Sequence, residues 1–132
     1  MKKQGFPKQE RIVSQKLIDE LFTSGQSHSL TAFPLRAVYL VRENTCQSTA
    51  IQLLLSVPKR HFKHAVDRNR VKRQLREAFR KNKEVLAETI AEGQGVALAF
   101  VWMSDKHASI VVVEKLVVNL LRRIAATITV NQ

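Results

Sequence analysis

The stretch HAVDRNRVKRQLREAFRK, His64–Lys81, decides how the rest of the chain is read. Placed on a helix at 100° per residue, Val71, Leu75, Ala78 and Phe79 fall into one apolar stripe. Arg68, Asn69, Lys72, Arg73, Arg76 and Arg80 share a neighbouring face about 140° wide, and Arg70 lies off it beside Glu77. After Asp67 the stretch holds seven Arg or Lys and one Glu. A solvated helix face usually mixes signs, with Glu and Lys four apart supporting one another. Those Glu residues are missing from 68–76. Crowding like charges destabilises an isolated helix, so an anionic partner is the natural reason for it. Arg and Lys neutralise phosphates and release counterions, Arg adds bidentate geometry, and Asn69 can donate to a sugar or phosphate oxygen. Charge alone leaves a DNA major groove and the surface of a folded RNA both open.

Working outward, the charge is confined. The chain has 132 residues and a formal net charge of +11. Residues 1–83 carry 18 Lys or Arg against 6 Asp or Glu, whereas 84–132 carry 4 against 5. This asymmetry is the footprint of a polyanion binder, with nucleic acid ahead of an anionic membrane. At 45% hydrophobic and 25% charged, the composition is that of one globular domain with an ordinary apolar core. The expected organisation is a flexible basic arm at 1–9 and a single nucleic-acid-binding domain at 10–132. Cys46 is the only cysteine, so it reads as an inert turn residue of a protein kept in a reducing compartment, the cytoplasm. No uninterrupted apolar run reaches the length of a membrane span, and the basic N-terminus lacks the apolar core of a signal peptide.

Local patterns place the remaining elements. Ser14 can cap a helix over QKLIDELF, which Gly25 stops. Ala32–Val41 and Thr49–Val57 read as strands, and the polar turn ENTCQS between them suggests a hairpin. After Pro58 and the basic loop KRHFKH, the helical period runs from Ala65 to about Glu92, where EGQG breaks it. Val96–Met103 reads as a buried strand. The segment IVVVEKLVVNLLRRIAATI has helical length, although its β-branched start could be strand, and Arg122 and Arg123 suit the negative end of a helix dipole. The class is α+β: a small central sheet packed with three helices, in the order α-β-β-α-β-α.

A second surface is suggested by Ile18, Phe22 and Phe33, since aromatic rings beside a basic face can stack on unpaired bases. The simpler reading of Phe22 and Phe33 is core. His28, His61, His64 and His107 share no metal spacing, and His61 and His64 read as backbone or phosphate contacts. There is no carboxylate pair, Ser/His/Asp arrangement or phosphate-cradling glycine loop, so neither a catalytic residue nor a protein-bound metal is expected. A stand-alone nuclease would need clustered acids for two-metal chemistry; the eleven here are dispersed. A non-enzymatic nucleic-acid-binding module stays open.

At SVPKRHFKHAVDRNRVKRQLREAFR, Ser56–Arg80, the chain closely resembles the bacterial ribonuclease P protein family. Lys59, Arg60, Ala65, Val66, Arg68, Asn69, Arg70, Val71, Lys72, Arg73, Arg76, Glu77, Phe79 and Arg80 carry the match, and ERI and LIDELFTSGQS resemble the family's first helix. The resemblance implies a left-handed β-α-β crossover around the basic helix, against the usual hand. It also implies a catalytic RNA subunit bound in a 1:1 complex through Lys59, Arg60, Arg68, Asn69, Arg70, Lys72, Arg73, Arg76 and Arg80. The 5′ leader of precursor tRNA would lie along a cleft at Ile18, Phe22 and Phe33, where Ile18 stands at a position often held by Phe. The implied reaction is Mg²⁺-dependent removal of that leader, with Mg²⁺ held mainly by the RNA and the protein alone inactive.

Overall fold

The computed structural model describes residues 18–19, 21–22, 25, 27–43, 51–90 and 93–130. The 1–9 arm, Ser14 and Cys46 lie outside them. Among these described residues four strands form one sheet: β1 (His28–Ala32), β2 (Leu35–Glu43), β3 (Ile51–Ser56) and β4 (Gln94–Trp102). Three helices accompany them: the basic helix α1 (Ala65–Asn82), a single turn α2 (Glu84–Ala87) and the C-terminal α3 (Ile110–Val130). Ile18, Asp19, Leu21 and Phe22 are helical as well. Gly25 follows them at φ +79°, the left-handed conformation in which glycine ends a helix at little cost. Among the described residues, no helix is long and apolar enough to cross a membrane.

The sheet order is β1-β2-β4-β3. β2 runs antiparallel to β1 and β4, while β3 lies parallel to β4. The hairpin expected between β2 and β3 is therefore corrected: β4 separates them. Gly95–Phe100 is buried without interruption along β4, and a strand apolar on both faces belongs in a sheet's interior. That preference outweighs the cue of a polar turn. The true hairpin is β1–β2, which turns at Phe33–Pro34 and so splits the run that reads as one strand from Ala32. β3, α1 and β4 form a parallel β-α-β unit.

One face of the sheet carries the main core. Leu35, Tyr39, Leu53, Leu98, Phe100 and Trp102 pack there against Val71, Leu75, Ala78 and Phe79 of α1 and Val113, Val117, Leu120, Leu121 and Ile124 of α3. Val38, Leu40, Ala97 and Ala99 form a smaller cluster on the other face, beneath Leu21 and Ile18. The basic helix ends at Asn82 and not near Glu92. The Asn82 side chain donates to the Ala78 carbonyl at 2.8 Å and to Glu114 at 3.1 Å, and such back-bonding competes with helix continuation.

α3 is helical from Ile110, so the strand alternative at its start is excluded. Ser109 Oγ accepts from the Val112 amide at 3.2 Å, satisfying one of the free donors at the helix start. Ser109→Ala is expected to cost about 1 kcal/mol, measured as a shifted urea midpoint with an unchanged slope. Because α3 continues to Val130, Arg122 and Arg123 are not in its last turn. Arg123 instead donates to the Thr31 carbonyl at 2.9 Å, tying the helix to β1.

Candidate nucleic-acid interface

The basic helix is held by its apolar stripe. Val71, Leu75, Ala78 and Phe79 are buried, and fully burying a Val, Leu or Phe is worth about 1.5–3 kcal/mol. The like-charged pairs 68–72, 72–76, 76–80, 70–73 and 73–76 each cost about 0.2–0.5 kcal/mol. Packing thus outweighs the repulsion, and the cations stay on the helix in the absence of a partner. Asn69, Arg70 and Arg73 are exposed; Arg68, Lys72, Arg76 and Arg80 are half-buried. Lys59 and Arg60 stand exposed in the turn before the helix, which closes through bonds from the His61 and Phe62 amides to the Pro58 carbonyl at 3.0 and 3.4 Å.

These nine residues are not equivalent. Arg68 Nη1 donates to the carbonyls of Phe62 and Lys63 at 2.8 and 3.0 Å, so it pins the loop to the helix. Arg80 donates to both oxygens of Glu77, at 2.6 and 3.1 Å. That hydrogen bond holds the Glu77 carboxyl below its ordinary range and raises Arg80. Arg80 is therefore already matched by an acid on its own helix. Among the described residues, Lys59, Arg60, Arg70, Lys72 and Arg73 enter no ion pair.

His61 departs from its reading as a backbone or phosphate contact: its Nδ1 lies 2.7 Å from Asp105 Oδ1. His107 Nε2 lies 3.1 Å from Asp67 Oδ1, and its ring stacks on Phe62 with centroids 4.6 Å apart. The partners are 44 and 40 residues apart, and no local pattern announces them.

The sheet face opposite the main core forms the second surface. Leu21 is fully buried there and Ile18 packs beside it, so Ile18 is wall and not an open stacking ring. Phe22 is 45% exposed and Phe33 is 71% exposed, which corrects the reading of both as core. The register sets Thr31, Arg36, Val101 and Ser56 in one row across the four strands. Arg36, which the strand reading of Ala32–Val41 does not single out, is half-buried in this row and donates to Ser29 Oγ at 2.9 Å. A row that carries two hydroxyls and a guanidinium can take phosphate oxygens, and an exposed aromatic ring can stack on an unpaired base.

A Mg²⁺ ion does not fit the described side chains. No three His, Cys, Asp or Glu groups stand together among them, and Asp67 and Asp105 each face a histidine.

A family model described as Ribonuclease P matches residues 6–125. A ribonuclease P protein component from Porphyromonas gingivalis is 36% identical over 125 residues, covering 94% of this chain and 89% of that one. Another from Chlorobium phaeobacteroides is 38% identical over 87 residues, 66% of this chain and 60% of that one. Among solved structures, the Staphylococcus aureus RNase P protein matches with a TM-score of 0.65 at 19% identity, over 88% of this chain and 94% of that one. The protein from Thermotoga maritima matches at 0.62 and 23% identity, over 83% and 94%. At these identities the structural matches speak for the fold.

Proposed function

Because the chain belongs to the bacterial ribonuclease P protein family, a tRNA-processing family, we propose that it binds the catalytic RNA through α1 and the turn before it and guides the 5′ leader of precursor tRNA along the Thr31, Arg36, Val101 and Ser56 row of the second sheet face. The observation that carries this reading is the exposed Asn69–Arg70–Arg73 surface on a helix whose opposite side is locked in the core. Arg70, Lys72 and Arg73, with Lys59 and Arg60, neutralise phosphates of the catalytic RNA. Arg68 sets the loop against the helix, and Arg76 extends the basic face. Phe22 and Phe33 offer ring faces to unpaired leader bases, a sequence-tolerant contact, and Arg36 offers a cation to the leader's backbone.

Catalysis belongs to the RNA, with Mg²⁺ held there, and no step runs through a protein-bound metal. The protein's part is electrostatic: it screens two polyanions from one another and so lowers the Mg²⁺ that the reaction requires. It acts in the cytoplasm as one protein per RNA.

The test is precursor tRNA cleavage at low Mg²⁺ with the same organism's catalytic RNA alone, protein alone, and both. Cleavage at the mature 5′ end in the mixture only is the expected result. No enhancement by protein shown to be folded would overturn the reading and leave a basic RNA binder. Cleavage by RNA-free protein would overturn the assignment of catalysis to RNA.

A further inference from the structure

Asp67 is the one acid between Glu43 and Glu77, in a segment that otherwise gathers positive charge. Its carboxylate meets His107, from the loop between β4 and α3. From that same loop Asp105 reaches the other way, to His61 in the turn before α1. Each side contributes one histidine and one acid. Between the two pairs Phe62, buried in the core, stacks on His107. Gln74 adds a third tie, donating to the Ala108 carbonyl at 3.2 Å.

Stability alone is a poor reason for these acids. Asp105 is 74% exposed, and exposed ion pairs contribute little. Each carboxylate also opposes the approach of a polyanion. The positive end of the helix dipole favours an acid in the first turn of α1, where Asp67 sits, but Asp105 lies in the loop between β4 and α3 and on neither helix. What the two share is the loop between β4 and α3: Asp67 fastens the first turn of α1 to it, and Asp105 fastens the turn before α1 to it.

We infer that Asp67 and Asp105 are positioning residues of the basic face: through His107 and His61 they hold the turn bearing Lys59 and Arg60 at a set spacing from Arg70 and Arg73. This rests on the reading of that face as an RNA-binding surface. A fixed array of cations matches the phosphates of one folded RNA without an ordering cost at binding. Loosely held cations serve any polyanion about equally.

The two explanations give opposite signs. Asp67→Ala with Asp105→Ala removes two negative charges, so electrostatics alone tightens binding to every RNA. Positioning requires a loss on the cognate RNA only. The double variant, verified as folded by circular dichroism and cooperative unfolding, is titrated at matched salt with the same organism's catalytic RNA and with a generic RNA duplex. We expect catalytic RNA to bind at least about tenfold more weakly, which is about 1.4 kcal/mol, and the duplex to bind equally or more tightly. Tighter binding to both, or an equal loss on both, would overturn the inference. If the double variant does not fold, Asp105→Ala alone, in an exposed loop, carries the same comparison. Wild-type protein that does not prefer catalytic RNA would sink the proposed function and this inference with it. A wild-type preference that survives in the variant would sink the inference alone.

Discussion

Replacing Arg70 and Arg73 together with Ala is expected to weaken binding of the catalytic RNA roughly 30-fold near 0.15 M salt. The slope of log affinity against log salt should flatten by about 1.4–1.8, since each lost phosphate contact removes about 0.7–0.9 from it. Both side chains are exposed and Ala is the better helix former, so the fold should not suffer. Arg68 is a poorer choice for this experiment because its removal also frees the Phe62 and Lys63 carbonyls. A matched control is Glu77→Ala with Arg80→Ala, which deletes a pair already satisfied within the helix and should leave the slope unchanged. An unaltered slope in folded Arg70→Ala/Arg73→Ala protein would show that α1 does not carry the phosphate contacts.

Phe79→Ala should cost about 3–5 kcal/mol of folding free energy, the usual range for emptying a fully buried aromatic site. Phe79 has no exposed surface and meets Phe100 of β4 edge to face, with centroids 6.5 Å apart and planes at 71°. The loss joins transfer of the ring to water with a cavity that α1, α3 and the sheet cannot all close upon. Since single domains hold only about 5–15 kcal/mol in total, the melting temperature should drop by roughly 10–20 °C. Urea unfolding of the RNA-free protein measures the loss directly. Added catalytic RNA should recover part of it, because a ligand of the native state stabilises by mass action. A loss below about 1 kcal/mol would mean that the apolar stripe is not what holds the basic helix in place.

These two predictions use the part of the molecule most legible in sequence. A period of 3.6 residues is a local property, and Val71, Leu75, Ala78 and Phe79 are buried as the pattern of α1 requires. The strands were less legible. Val96–Met103 reads as buried from composition, yet its place between β2 and β3 depends on pairing among segments distant in the chain. A hairpin cue is short-range and yields to the burial of a doubly apolar strand. Exposure of Phe22 and Phe33 was also hidden, because an aromatic residue beside a strand reads as core until the neighbouring elements leave it uncovered. The engagement of Arg68 with the Phe62 and Lys63 carbonyls was hidden for a related reason: a cation in a run shows its charge but not the distant backbone it already faces, whereas the Glu77–Arg80 pair follows from their spacing of three on one helix.

By itself the sequence determined the charge, its confinement to the first two thirds of the chain, the amphipathic basic helix and the family motif that runs through it. Each is read within one helical turn or by counting. Only the tertiary structure decided which cations remain available, that Phe22 and Phe33 stay exposed and how the turn before α1 is tied down. Those outcomes depend on contacts such as Asp67 with His107 and Asp105 with His61. Their partners meet only because β3 and β4 lie side by side, which brings the loops at their ends together.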